Sequence, residues 1–242
     1  HHKNVRRERI NLLILTIDTS CSQMGVSLNQ EDTILAEETI NNKKTHSVKL
    51  MPAVDNVLTA SNKVIDDVDL FAVVNGPGSF TGLRIGVSTA KAFAYTLDKP
   101  VIGVNTLDYL ARSAANYKGL ICPIIDARND FVFFSLYRGN ERIYDYKVDK
   151  VEWLFSLLED FDEEVMFTGD GVLVHRETLK LKLGEKYKEN AYPLLLGKPS
   201  FIADIAREKY ESGQVDSDIE VYYMRKSQAE RMKEEKAGKA CK

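Results

Sequence analysis

The chain reads as an α/β protein made of two copies of one mixed-sheet unit, lying side by side with a cleft between them. Two observations predict this. Apolar strands alternate with amphipathic helices, and each half opens on a hairpin. In addition, "IDTSCSQMGVSL" (Ile17–Leu28) can be set without a gap over "IDARNDFVFFSL" (Ile125–Leu136), 108 residues later, with Ile, Asp, Ser and Leu coinciding. A third observation is the stretch "VVNGPGSFTGLRIGVSTAKAFAYTL" (Val73–Leu97), where Gly76, Gly78, Gly82 and Gly86 separate an apolar run from a helical pattern.

The elements follow in order. Leu12–Thr19 is a strand; its "LLILTI" core meets Asp18 after six residues, too short for a membrane span. Gly25–Ile40 alternates around a polar turn at Asn29–Asp32, as a hairpin does. Thr45–Ala60 is a helix with Leu50, Met51, Val54, Val57 and Leu58 on one arc. "VDLFAVVN" is a buried strand, the glycine segment opens a helix, "KPVIGVNTL" is a strand and Leu107–Tyr117 a helix. The pattern then restarts with a second hairpin through "YRGNERIYDYKV", a helix at Val151–Phe161 and a strand "EEVMFTGDG". Gly169–Asp170–Gly171 ends that strand as Gly76–Pro77–Gly78 ends its counterpart. Two duplicated mixed-sheet halves around a cleft are the actin-like, sugar-kinase-like plan. The halves are placed at 11–117, completed by 219–235, and at 118–218. Residues 1–10 (HHKNVRRERI) read as a tag remnant and linker, and 236–242 as a basic tail. Asp18 and Asp126 would end equivalent strands, either facing the cleft or capping their own turns.

Composition narrows the function. With 242 residues, 44% hydrophobic and 29% charged, the chain can bury a sizeable core. Three cysteines, Cys21, Cys122 and Cys241, with no CxxC pair, suit a reducing cytoplasm and form neither a disulfide framework nor a zinc site. The net charge of −3 hides an asymmetry: residues 225–242 hold seven Lys/Arg against three Glu, and the N-terminal stretch is also basic. The body between them is strongly acidic and repels nucleic acid over most of its surface, which excludes DNA binding. The tail is either a solvated charged helix or an RNA contact.

The glycine segment poses a choice between a phosphate cradle and a packing joint. Gly76-Pro77-Gly78-Ser79 suits a type II turn with positive φ after the proline, and Ser79 or Thr81 would cap the helix. No Gly-Lys-Ser/Thr closes the loop, and it is not GxGxxG. Arg84 in the first turn opposes the helix dipole, which calls for an anionic ligand or a partner carboxylate. Gly82, Gly86, Ala90 and Ala94 recur every four residues and form one shallow face, while Ile85, Ala92, Phe93 and Tyr95 make the other side apolar. Such a helix is normally buried all round. The spacing therefore favours close packing, with anion binding secondary, at Asp18, Ser20, Gly76, Gly78, Ser79, Thr81, Gly82, Asp126 and Arg128.

"IDTS", "THSVKLMP", "VVNGPGSFTGLRIG", "DAR" at Asp126–Arg128 and "YYMRKSQAER" at Tyr222–Arg231 occur in that order, from about Leu12 to Arg231. In this the chain resembles the bacterial TsaB (YeaZ) family. The resemblance implies an actin-like (ASKHA) fold and a non-catalytic, activating role in making threonylcarbamoyladenosine beside the anticodon of tRNAs that read codons starting with A. It implies TsaD as the direct partner, TsaE in the larger complex, tRNA contact mainly through that complex, and a homodimer in isolation. Contact would run through the first-half helices at His46, Leu50, Met51, Val54, Leu58, Arg84, Gly86, Ala90, Lys91, Phe93 and Ala94. No cofactor of its own is implied, although the boundary with the partner leaves room for ATP or ADP. TsaD-like enzymes hold metal with a His-x-x-x-His pair; here His46 is followed four residues on by Leu50, and His175 is the one further histidine outside the tag. His46 then reads as a hydrogen-bonding residue at the helix start. The competing reading is an actin-like phosphotransferase or metallopeptidase using Asp18, Asp126 and the glycine turns on ATP.

Overall fold

Two five-stranded mixed sheets, each carrying helices, make up the computed structural model, which describes residues 11–41, 46–216 and 218–225. The first ten residues, Thr45, the tail and the Ser-Gln-Ala-Glu-Arg ending lie outside the described residues. The first sheet comprises β1 (Leu13–Asp18), β2 (Met24–Gln30), β3 (Thr33–Ile40), β4 (Leu70–Gly76) and β5 (Val101–Asn105), in the order β3-β2-β1-β4-β5. The second comprises β6 (Leu120–Asp126), β7 (Phe131–Arg138), β8 (Glu141–Lys150), β9 (Val165–Thr168) and β10 (Tyr187–Glu189), in the order β10-β9-β6-β7-β8. Strand for strand this is the same sheet twice, and Asp18 and Asp126 both end central strands.

The ungapped overlay of the two halves slips by one residue. Asp18 pairs with Gly25, whereas Asp126 pairs with Val132 and not with Phe133, the residue the overlay places there. The second hairpin turn is tighter because Arg128, Asn129 and Asp130 all take positive φ, at 67°, 54° and 60°. Asn and Asp tolerate that region better than most residues.

Helices α1 (His46–Ala60) and α2 (Phe80–Leu97) cover one face of the first sheet, and their buried residues join those of β1, β2 and β4 in one core. Helix α3 (Thr106–Arg112) ends at Arg112, short of the predicted Tyr117, in a run of turns. Helices α4 (Val151–Leu158) and α5 (Gly171–Leu183) cover the second sheet, followed by the single turn α6 (Tyr192–Leu195). Helix α7 (Ser200–Glu211), placed by the sequence reading in the second half, packs instead on β1, β2, β4, β5 and α3. Its Ile202, Ala203, Ile205 and Ala206 enter a core that also takes Ile125, Ala127 and Phe133 from the second half.

The small-residue ridge of α2 finds its close neighbour inside the chain. A Cβ on Gly82 would collide with the Thr19 carbonyl oxygen, and one on Gly86 with the Thr19 hydroxyl. Thr19 Oγ1 in turn donates to the Gly82 carbonyl at 2.7 Å. Gly82→Ala should therefore cost roughly 1–3 kcal/mol by overpacking, even though alanine favours the helix. Ser88→Ala, on the exposed side of α2, should change stability little. Urea unfolding of the two variants checks this; equal midpoints would contradict the joint.

Candidate functional site

The cleft between the halves opens at the carboxyl ends of β1 and β6 and encloses about 500 Å³. Gly78 and Ser79 form one wall, Asp126, Arg128 and Asp170 the other, and Tyr222, Tyr223 and Arg225 close the mouth.

Asp18 does not reach this space. It is 3% exposed, accepts a hydrogen bond from the Ser20 amide at 2.8 Å and another from the Tyr109 hydroxyl. Burial raises its pKa above the ordinary carboxylate value, with the Tyr109 and Ser20 bonds pulling the other way. The same burial, with the Asp18 charge beside it, pushes the Tyr109 phenol well up. Asp126 repeats the local geometry: its Oδ1 accepts from the Arg128 amide at 2.9 Å, with the Arg128 guanidinium 3.6 Å from Oδ2. Both aspartates thus cap the turn two residues on, and Asp126 alone also lines the cleft. The sequence reading missed Asp170, the residue before α5, whose Oδ1 accepts the Asp126 amide at 3.1 Å. Burial raises its carboxyl to about 6; the Asp126 hydrogen bond lowers it in part and the Asp126 charge raises it again. Its position in Gly-Asp-Gly, matched to Gly-Pro-Gly, was the available signal.

The glycine loop departs from the type II turn. The Gly76–Pro77 peptide is cis, and positive φ falls on Gly76, at 129°, before the proline. The Tyr222 carbonyl lies where a Gly76 side chain would be, which is why glycine stands there. Ser79 is the cap: its Oγ accepts the Gly82 amide at 3.3 Å, while its own amide donates to the Ser20 carbonyl at 2.6 Å. The Ser79 and Gly82 amides at this turn are thus bonded within the chain, and Thr81 is exposed and lies outside the residues lining the cleft. Among the described residues, Arg84 is held by two aromatic side chains. Its Nε donates to the Tyr223 hydroxyl at 2.9 Å, and its guanidinium lies 4.0 Å from the Phe80 ring centre. A contact of that kind offsets the small dipole penalty.

His46 donates from Nε2 to the Cys21 carbonyl at 2.7 Å, tying the start of α1 to the β1–β2 turn. Among the described residues, no group of three or more His, Cys, Asp or Glu side chains converges as metal ligands would.

The residues expected at a partner surface divide into two sets. Leu50, Val54, Leu58, Gly86, Ala90 and Ala94 are buried against the chain's own sheet. Phe93 is half-buried and stacks on Phe71 at 5.5 Å, and Lys91 pairs with Asp218. Outward, α1 presents Val48 and Met51, 64% and 50% exposed, and α2 presents Arg84, Ser88, Ala92 and Tyr95, the last 92% exposed. Met51 leaves the arc on which the sequence placed it, and Ala53 takes its place in the core. Helix α5 also exposes Leu173, Val174 and Leu181.

Two like sheets, each with its first strand ending in a capping aspartate at a shared cleft, define the actin-like fold. The activator of 2-hydroxyisocaproyl-CoA dehydratase from Clostridium difficile, solved with ADPNP, is similar in fold (TM-score 0.53, 11% identity, 85% of this chain and 97% of that one). A Pseudomonas aeruginosa protein described as similar to peptidase YEAZ superposes more closely (TM-score 0.75, 23% identity, 88% and 100%). The family model for TsaD, tRNA N6-adenosine threonylcarbamoyltransferase, matches residues 33–234. The tRNA threonylcarbamoyladenosine biosynthesis protein TsaB of Bacillus subtilis is 36% identical over 203 residues, covering 82% of this chain and 88% of that protein. The chain belongs to the TsaB (YeaZ) family.

The raised carboxyl of Asp170 sets a pH dependence. Because the folded protein holds this proton more tightly than the unfolded chain, the associated stability is present below about pH 4 and is lost as pH rises to about 6. Asp170→Asn keeps an acceptor for the Asp126 amide and removes the titration. Between pH 4 and 7 the variant should gain on the order of 1–2 kcal/mol relative to the parent. Parallel stability profiles in urea would contradict the assignment.

Proposed function

We propose that the chain is a non-catalytic, activating subunit in tRNA threonylcarbamoyladenosine formation in the cytoplasm, and that it supports a TsaD-type transferase docked on the outer face of α1 and α2. Family membership supports the pathway. The single observation that carries the supporting role is how the glycine joint is used. Asp18 is sealed under Tyr109, and the Ser79 amide that could meet a phosphate is bonded to Ser20. A phosphate held at this helix terminus would need that amide free. The outer face of α1 and α2, by contrast, leaves Val48, Met51 and Tyr95 in solvent next to Ser88 and Ala92, small enough for another helix to approach.

In this reading the partner's first helices pack against α1 and α2, TsaE joins the assembled pair, and tRNA is held mainly by the complex. Without the partner, two copies meet through the same face about a two-fold axis. Any ATP or ADP sits at the subunit boundary.

Met51→Glu and Tyr95→Glu should leave the melting temperature nearly unchanged, weaken co-purification with TsaD at least about tenfold, and reduce tRNA threonylcarbamoylation in the reconstituted system. Val174→Glu, on α5, should do neither. Ala90→Glu places its charge in the core, where Ala90 is 0% exposed, and should unfold the protein. Retained binding by both Met51→Glu and Tyr95→Glu would move the interface elsewhere.

A further inference from the structure

The described C-terminal segment, residues 218–225, crosses the mouth of the cleft and is fastened at both ends. On the first half, Asp218 pairs with Lys91 of α2, and Ile219 is buried in the core of the first sheet. The Tyr222 amide then donates to the Asn75 carbonyl at 2.7 Å, and Asn75 Nδ2 donates to the Glu220 carbonyl at 3.2 Å. Tyr223 stacks on Phe80 at 4.9 Å and accepts from Arg84. On the second half, Arg225 Nη1 donates to the Ala127 carbonyl at 2.6 Å, and its guanidinium lies 4.2 Å over the Phe131 ring. Tyr222 also meets Tyr146 of β8 edge-on, at 6.1 Å.

Arg84 and Lys91 lie seven residues apart on α2, two helical turns along one side. The segment therefore runs beside the helix that carries the exposed face described above, before reaching the turn Arg128–Asp130.

We propose that residues 218–225 are a latch that limits how far the two halves open, and that a protein seated on the outer face of α1 and α2 acts on the cleft through it. The second statement rests on the partner reading above; the first stands without it. The latch joins the flank of α2 to the β6–β7 turn across the mouth, outside the core cluster that Leu83 of α2 and Ala127 of that turn share. A partner that holds Arg84 and Lys91 in place also holds the latch closed, and by linkage a closed cleft favours that partner.

Cys21 is a built-in reporter. It lines the cleft, and its thiol donates to the Gln23 carbonyl at 3.6 Å, while Cys122 is fully buried in β6. Alkylation with N-ethylmaleimide, read by peptide-resolved mass spectrometry, separates both from Cys241. In the full-length chain, Arg225→Ala and Tyr223→Phe should each label Cys21 faster, by about tenfold for Arg225→Ala, with Cys122 unchanged. An unchanged Cys21 rate in both variants would overturn the latch. So would Cys21 and Cys122 rising together in both, since the segment would then stabilise the whole fold. Adding TsaD should slow Cys21 labelling severalfold in the parent and leave the Arg225→Ala rate unaffected. Binding without that slowing would overturn the coupling alone; absence of binding would count against the partner reading and leave the latch result intact.

Discussion

The structure turns on the contact between the β1–β2 turn and the start of α2. Thr19 and Ser20 press into the spaces left by Gly78, Gly82 and Gly86, and two polar contacts pin the seam: Ser79 N–H to the Ser20 carbonyl and Thr19 Oγ1 to the Gly82 carbonyl. The seam sets how low α2 lies on the sheet, where Phe93 meets Phe71, and how much of Tyr95 remains in water. It also consumes donors that a phosphate would otherwise use at this helix terminus.

Two capping aspartates end the central strands on either side of the cleft. Each closes the turn at the end of its sheet's central strand, yet their surroundings differ. Asp18 is roofed by Tyr109 and withdrawn, whereas Asp126 stays at the wall, bonded through its own amide to Asp170. The duplicated unit has kept its frame in both halves while only one aspartate faces the open space. Helix α7 and the segment 218–225 then bind the halves together, α7 from between the sheets and the segment across the mouth. Lys209 and Asp216 finish the exposed edge of β5 by bonding to the Gly103 carbonyl and amide, each at 2.7 Å. Edge groups satisfied in this way offer no template to another strand.

Much of this was legible in the sequence because it rests on local rules. Alternation at Gly25–Ile40, the apolar run before Gly76 and the repeat of Ile17–Leu28 at Ile125–Leu136 led to most of the strands, their succession along the chain and the actin-like fold; β10 and the order of strands within each sheet were not among these readings. What was hidden depends on long-range contacts. Spacing of four among Gly82, Gly86, Ala90 and Ala94 announces a close neighbour without saying which one, and Thr19, at the start of the β1–β2 turn of the same chain, takes the place. Tyr109 stands 91 residues from Asp18, so its role as a roof has no local signature. The same holds for Arg84, whose partners are Phe80 nearby and Tyr223 far along the chain. Met51 stands outside because the buried arc is centred nearer Ala53, on the i, i+3, i+4, i+7, i+8 positions Leu50, Ala53, Val54, Val57 and Leu58, which the sequence reading set slightly too far round the helix.

If the glycine joint is a packing device and the chain supports rather than performs chemistry, the protein alone has no use for a nucleotide as substrate. ATP hydrolysis by the purified chain with magnesium, followed by phosphate release over hours, measures that claim directly. The account predicts a rate no greater than that of a sample without protein, unchanged on adding other divalent metals. Robust, metal-dependent turnover that is lost on Asp126→Asn would contradict it, and would make the cleft an active site in its own right.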